Sequence, residues 1–252
     1  MGNKTQYPKP KTPKNLITQR FIAVLALIIG IGLLIIFTDF PSHAVIQNTQ
    51  IATHPLPPKL VQWQDHTNSG DYFSQVEKTQ VGYLVWSKFP VQIYVEPPPV
   101  VSNIQAQVWV NSVLQTVQEW SIYLPLVVVE QPDIADITIL RKAPPLQFSR
   151  GEIPRARSAQ ATYELYTSQN ILSHRFTILL SPSQTGVYLQ AAARHELGHA
   201  LGIWGHSSSP TDALYFSQVS HPPPISPRDI NTLKRVYEQP TNLGWSLKKY
   251  GN

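Results

Sequence analysis

The residues best equipped for chemistry are His195-Glu196-Leu197-Gly198-His199, a short run late in the chain. Side chains at i and i+4 of a helix share a face, so two imidazoles at that spacing can point at one metal ion. Glu196 lies about 100° further round the helix. It can flank the ion and reach a water there without being a ligand. Neutral nitrogen ligands leave the full charge on zinc, which draws the pKa of a bound water towards about 7. Glu196 is then placed as the general base for attack on a peptide carbonyl, and can pass the proton on to the leaving amine. His206 follows shortly after the run. The chain contains no cysteine, so disulfides and thiolate sites are excluded and any metal must be held by His, Asp or Glu.

Such residues need elements to carry them. The helix bearing the motif is rich in alanine and runs from about Gly186 to Gly202, where glycine provides a left-handed stop. Upstream, Val91, Ile93 and Val95 alternate with Gln92, Tyr94 and Glu96, a half-buried strand closed by Pro97–Pro99. Ser102 with Gln105 makes a capping-box start, and the helix after it aligns Val110, Val113, Leu114, Val117 and Trp120 on one face. Leu126–Glu130 and Ala135–Leu140 read as short strands. Alternation at Ala161, Tyr163 and Leu165, and again at Phe176, Ile178 and Leu180, predicts two more. A last helix starts at Ser226-Pro227, with Asp229 in its first turn and Ile230, Leu233, Val236 and Tyr237 along one face. The fold class expected is α/β (α+β), with one sheet and three helices.

The stretch HELGHALGIWGHS resembles the long zinc motif of the metzincins, H-E-x-x-H-x-x-G-x-x-H, and most closely that of matrixin-like, bacterial-type members of this metalloprotease family. The likeness covers about residues 80–240. It includes WSKFPVQIYVE as a first strand, VQEWS closing the first helix, ADITI as a third strand and ISPRDINTLKRVY as the C-terminal helix. The resemblance implies a twisted, mostly parallel five-stranded sheet with three helices. It also implies one catalytic zinc ion held by His195, His199 and the third motif histidine, with Glu196 as general base. The activity implied is that of a zinc endopeptidase acting on proteins or peptides in extended conformation. In the same family the strand at Ser158–Tyr166, which carries Tyr163, edges the cleft and pairs with substrate by strand addition.

Two departures from the family pattern bear on the site. The third histidine's usual position is Gly205, and His206 comes one residue later. His206 is the expected ligand, with the extra residue absorbed as a small bulge at a flexible Gly205 and Asp212 in reserve. The family's methionine turn is also missing, since Met1 is the chain's one methionine. Thr211–Tyr215 stands in its place, with Leu214 as the hydrophobic floor. Leu and Met are close in volume, and such swaps usually cost less than about 1.5 kcal/mol. Tyr215 and Phe216 either line an apolar specificity pocket or are ordinary core aromatics. Without cysteine, the cysteine-based latency of some matrixins is excluded.

Charge and composition set the wider frame. The net charge of +5 is accounted for by Lys4, Lys9, Lys11, Lys14 and Arg20, because the other 15 basic residues are balanced by 15 acidic ones. A folded part without excess positive charge argues against nucleic-acid binding. Phe21 to Phe37 is an unbroken apolar run, about 25 Å as a helix. With its basic flank it predicts a cytoplasmic N-terminus and an exported remainder, either anchored in the membrane through 21–37 or secreted after cleavage behind Ala44. The expected organisation is a basic tail (1–20), the apolar segment (21–37), a proline-rich linker or stalk (38–80), a catalytic domain (81–240) and a C-terminal tail (241–252). His174 and His221 read as surface residues. Two rival readings remain: a zinc- and peptide-binding module with little or no catalysis, and a structural exported protein without metal.

Overall fold

The computed structural model describes residues 50–97, 104–146 and 157–247. The basic tail, the apolar run 21–37 and the Ser102 cap lie outside them. Among the described residues no helix is long and apolar enough to cross a membrane. The elements are α1 (Pro58–Gln62), β1 (Val91–Val95), α2 (Ile104–Ser121), β2 (Leu126–Val129), β3 (Ile137–Leu140), β4 (Ala159–Ser168), β5 (Ile171–Leu180), α3 (Gly186–Ala200) and α4 (Pro227–Tyr237). The fold is a mixed α/β one built on a single five-stranded, mostly parallel sheet in the order β2-β1-β3-β5-β4.

Alternation drives the central strands into the core. In β1 the residues Val91, Ile93 and Val95 are buried, as are Ile137 and Ile139 of β3. β1 runs parallel to both β2 and β3, and β3 runs parallel to β5. Only β4 runs the other way. It is joined to β5 through Gln169-Asn170, whose φ values of 49° and 64° are those of a type I′ turn, the tight hairpin whose twist suits paired strands. β4 therefore forms one edge of the sheet. Ser181 N–H donates to Ser158 O at 2.9 Å, so by ladder alternation the backbone groups of Ala159, Ala161 and Tyr163 point away from β5.

The helices are placed by their apolar faces. Trp109, Val110, Val113, Val117 and Trp120 of α2 are buried at helical spacing. Trp120 donates its indole N–H to Arg194 O of α3 at 3.0 Å, so the two helices are tied as well as packed. α4 starts at the expected Ser226-Pro227, and its Ser226 and Asp229 form a complete capping box: Asp229 N–H donates to Ser226 Oγ at 3.1 Å and Ser226 N–H to Asp229 Oδ2 at 2.7 Å.

Both ends of the expected catalytic domain extend further than the sequence pattern suggests. Residues 52–80, expected as a stalk, are folded onto the domain, with Leu60, Tyr72 and Val76 buried in its core. Their attachment is polar: Trp63 Nε1 donates to Asn231 Oδ1 at 2.8 Å, Asn231 Nδ2 to Asp65 Oδ2 at 2.7 Å, and Arg235 pairs with Asp71 at 2.9 Å. The first residues of the expected C-terminal tail are folded in too. Thr241 and Leu243 are buried, Ala52 pairs antiparallel with Thr241, and His54 stacks on Trp245 at 4.2 Å. A Pro-rich, aperiodic segment held by distant side chains leaves no local signature.

His174 is the other correction. It is 3% exposed, stacked on Trp86 at 4.0 Å, and its Nε2 has no hydrogen-bond partner. Its position on β5 puts it on the same face as Leu172, Phe176, Ile178 and Leu180, all buried. Burial lowers its pKa from 6.5 to about 3, because the charged ring cannot be solvated there. The unfolded chain takes up a proton below about 6.5 that the folded chain refuses until about 3, so stability falls as pH drops through that window. In His174→Phe the slope of unfolding free energy against pH, measured by urea denaturation between pH 4 and 6, is expected to drop by about one proton.

Candidate metal centre

The end of α3 is a capped terminus, and the cap shapes the site. Ile203 N–H donates to Gly198 O at 3.0 Å and Gly202 N–H to His199 O at 3.1 Å, the paired bonds of a Schellman stop. Gly202 has φ of 134° and a Cβ there would lie 3.0 Å from Leu84 O, so glycine is required on both counts. This turn brings Ile203 O back over the helix, 2.7 Å from His199 Nδ1. On the neighbouring turn Ala213 O lies 3.0 Å from His195 Nδ1.

Those two contacts fix the tautomers. A carbonyl oxygen can only accept, so each Nδ1 carries the proton and each Nε2 presents a lone pair. The two Nε2 atoms face one another at 3.0 Å. Neutral rings in these tautomers cannot hydrogen-bond to each other through that contact, whereas both lone pairs could be donated to one shared metal ion. Burial lowers His195 to about 4 and holds His199 well below the usual imidazole range, which makes a proton a poor candidate near neutral pH. His206 completes the cluster: donor atoms of His195, His199 and His206 all lie within 4.8 Å of one another. Three imidazole nitrogens with two tautomers preset by backbone carbonyls are a donor set that fits a metal ion.

Glu196 sits beside this cluster and outside it. Its Oε2 accepts from Ala161 N–H on the free edge of β4 at 2.6 Å, which orients the carboxylate. Burial pushes its pKa up to about 7, against the lowering effects of the Ala161 bond and the Arg157 charge. Glu196 and the three histidines line one cavity of about 850 Å³, whose opposite wall is β4 from Ala159 to Tyr163.

The other expected residues divide clearly. Tyr163, Tyr215 and Phe216 all line the cavity, and Phe216 is 64% exposed, so it is no core aromatic. Tyr163 packs edge-on to Trp204 at 5.2 Å. Asp212, held in reserve as a ligand, is committed elsewhere: its carboxylate accepts from Ser207 at 2.5 Å, Ser226 at 2.8 Å and Arg228 at 3.0 Å. It braces the loop behind the site. His221 hydrogen-bonds with Ser220 at 3.1 Å at the surface, as expected.

Gly205, where the resemblance would place the third histidine, has no room for a side chain: a Cβ there would lie 2.1 Å from Gln75 O. Gly205 is not in a left-handed conformation; close backbone approach, and not flexibility, is what requires it. Successive short turns, Trp204 N–H to Gly202 O and Gly205 N–H to Ile203 O at 2.9 Å each, absorb the extra residue. Sequence reasoning missed Glu77, Arg157, Tyr188 and Trp204 as cavity residues. Trp204 lies inside the motif and Tyr188 on the helix that carries it, so both could have been found; Glu77 and Arg157 come from segments with no local signal.

Leu214 is fully buried below the motif. Its Cδ2 would lie 2.6 Å from a Cβ on Gly198, so glycine in the helix makes room for this floor. No family model matches the chain, and no curated protein matches it either. Leu214→Met is expected to cost less than about 1.5 kcal/mol in urea denaturation. Leu214→Ala is expected to cost about 2–5 kcal/mol, because it opens a cavity under the histidines.

Proposed function

We propose that this chain is a zinc-dependent endopeptidase of the metzincin type, acting on extended segments of proteins or peptides. The observation carrying this reading is the facing pair of Nε2 lone pairs on His195 and His199, with His206 closing the triad and Glu196 beside it. His195, His199 and His206 would hold the zinc ion, which supplies Lewis-acid polarisation of a carbonyl oxygen when bound.

The remaining work falls to the chain's own groups. The edge of β4 offers the backbone groups of Ala159 and Tyr163 and the carbonyl of Ala161 to an extended peptide, which pairs as an added strand and lies along the cavity. Ala161 N–H holds one oxygen of Glu196 at 2.6 Å, leaving Oε1 to take a proton from the attacking water. Burial raises the proton affinity of this carboxylate, as a general base working near neutral pH requires. The same group then gives the proton to the departing amine. Tyr163, Tyr215 and Phe216 supply apolar walls for a substrate side chain. The basic flank and apolar run at the N-terminus support a location on the extracytoplasmic side, anchored through 21–37 or released after Ala44.

In full-length protein, near-stoichiometric zinc is expected, and with it chelator-sensitive cleavage of unfolded protein substrates. Glu196→Ala is expected to keep its zinc while cleavage falls at least about a hundredfold. His195→Ala is expected to lose the zinc. Unchanged proteolysis in the Glu196 variant would overturn the mechanism, and zinc without cleavage in the wild type would make the domain a peptide-binding module.

A further inference from the structure

The segment Tyr72–Glu77, upstream of everything the family likeness covers, runs beside the metal centre. Its far end is tied to α4: Tyr72 OH donates to Asp229 Oδ1 at 2.5 Å and Tyr72 N–H to Thr232 Oγ1 at 3.0 Å. Its near end pairs with the chain that leads into the third ligand. Val76 and Gly205 form an antiparallel bridge, and Glu77 N–H donates to Trp204 O at 2.8 Å. Gln75 O sits so close over Gly205 that no Cβ fits between them.

His195 and His199 are placed by a helix and oriented by carbonyls. His206 has neither support. It stands between two isolated bridge residues, Gly205 and Ser207, outside any helix or strand, and is exposed. What borders it is Ser207 on one side, paired with Tyr215, and the strap at Gln75–Glu77 on the other. Glu77 and His206 both line the cavity.

We propose that the strap Tyr72–Glu77 is the positioning element for the third metal ligand: Glu77 N–H fixes the carbonyl of Trp204, while Gln75 and Val76 hold Gly205, the residue that leads into His206. The strap is thereby part of the metal centre, and by reciprocity a bound ion holds the strap in place. This rests on the reading of the three histidines as a metal site.

The test is zinc affinity, measured on the full-length protein by competition with a chromogenic chelator, together with the visible absorption of the cobalt(II) form. Glu77→Pro removes the N–H bond to Trp204 O. It is expected to lower zinc affinity about tenfold or more and to alter the cobalt spectrum. Val76→Gly, which loosens the strap opposite Gly205, is expected to lose several-fold, and serves alone if the proline variant does not fold. Each change is also made in a His206→Ala background. If the strap acts through His206, the additional loss there vanishes; a role in general stability would leave it undiminished. Equal zinc affinity in wild type and both variants, or a full loss persisting without His206, overturns the proposal. A wild-type protein that binds neither zinc nor cobalt overturns the metal site itself, and is recognised without any variant.

Discussion

The arrangement around the cavity depends on one buried carboxylate, Asp229. It is fully enclosed, and burial pushes its pKa above the usual range while its donors pull the other way. Those donors come from different parts of the chain: Tyr72 OH, Ala213 N–H at 2.9 Å, Leu214 N–H at 3.5 Å and Ser226 N–H at 2.7 Å. Hydrogen bonds to a charged acceptor are worth roughly 1.5–3 kcal/mol each, and such a group left unpaired in the interior is costly. The strap, the floor under the histidines and the start of α4 are therefore held to the same point. Ala213 N–H is bound there while Ala213 O orients His195, so the carboxylate reaches the histidine cluster through one residue.

Much of the frame was legible because it is local. The period-two pattern of β1, the short apolar run of β3, the apolar stripe of α2 and the Ser226-Pro227 start of α4 each depend on residues close in sequence, and each is found where expected. The motif helix was equally readable, since i, i+4 spacing and the Gly202 stop are properties of a few neighbouring residues. Asp229 itself was visible only as a first-turn acid. Its bonds to Tyr72 and Leu214 cross long sequence separations that no periodicity encodes.

The misses follow the same division. The strap carries no period because it is neither strand nor helix, and its partners Asp229, Thr232 and Trp204 lie far downstream. The displaced histidine was visible as a departure from the family pattern, but the crowding of Gly205 by Gln75 O involves a segment outside that pattern. His174 was different. The alternation of β5 places it with Phe176 and Ile178 on the inner face, so burial could have been read from the sequence had pattern been weighed above residue type.

The pairing of Ala52 with Thr241 also has a mechanical side. Two backbone bonds, Ala52 N–H to Thr241 O at 3.2 Å and Thr241 N–H to Ala52 O at 3.0 Å, are backed by the His54–Trp245 stack. They clasp the incoming chain to the outgoing one some twenty residues before the strap begins. A pull applied from the N-terminal side loads this clasp first, in shear, and reaches Tyr72–Glu77 only after the clasp has given way. The clasp is a strain relief, and it keeps tension on the leading segment from being felt at the three histidines.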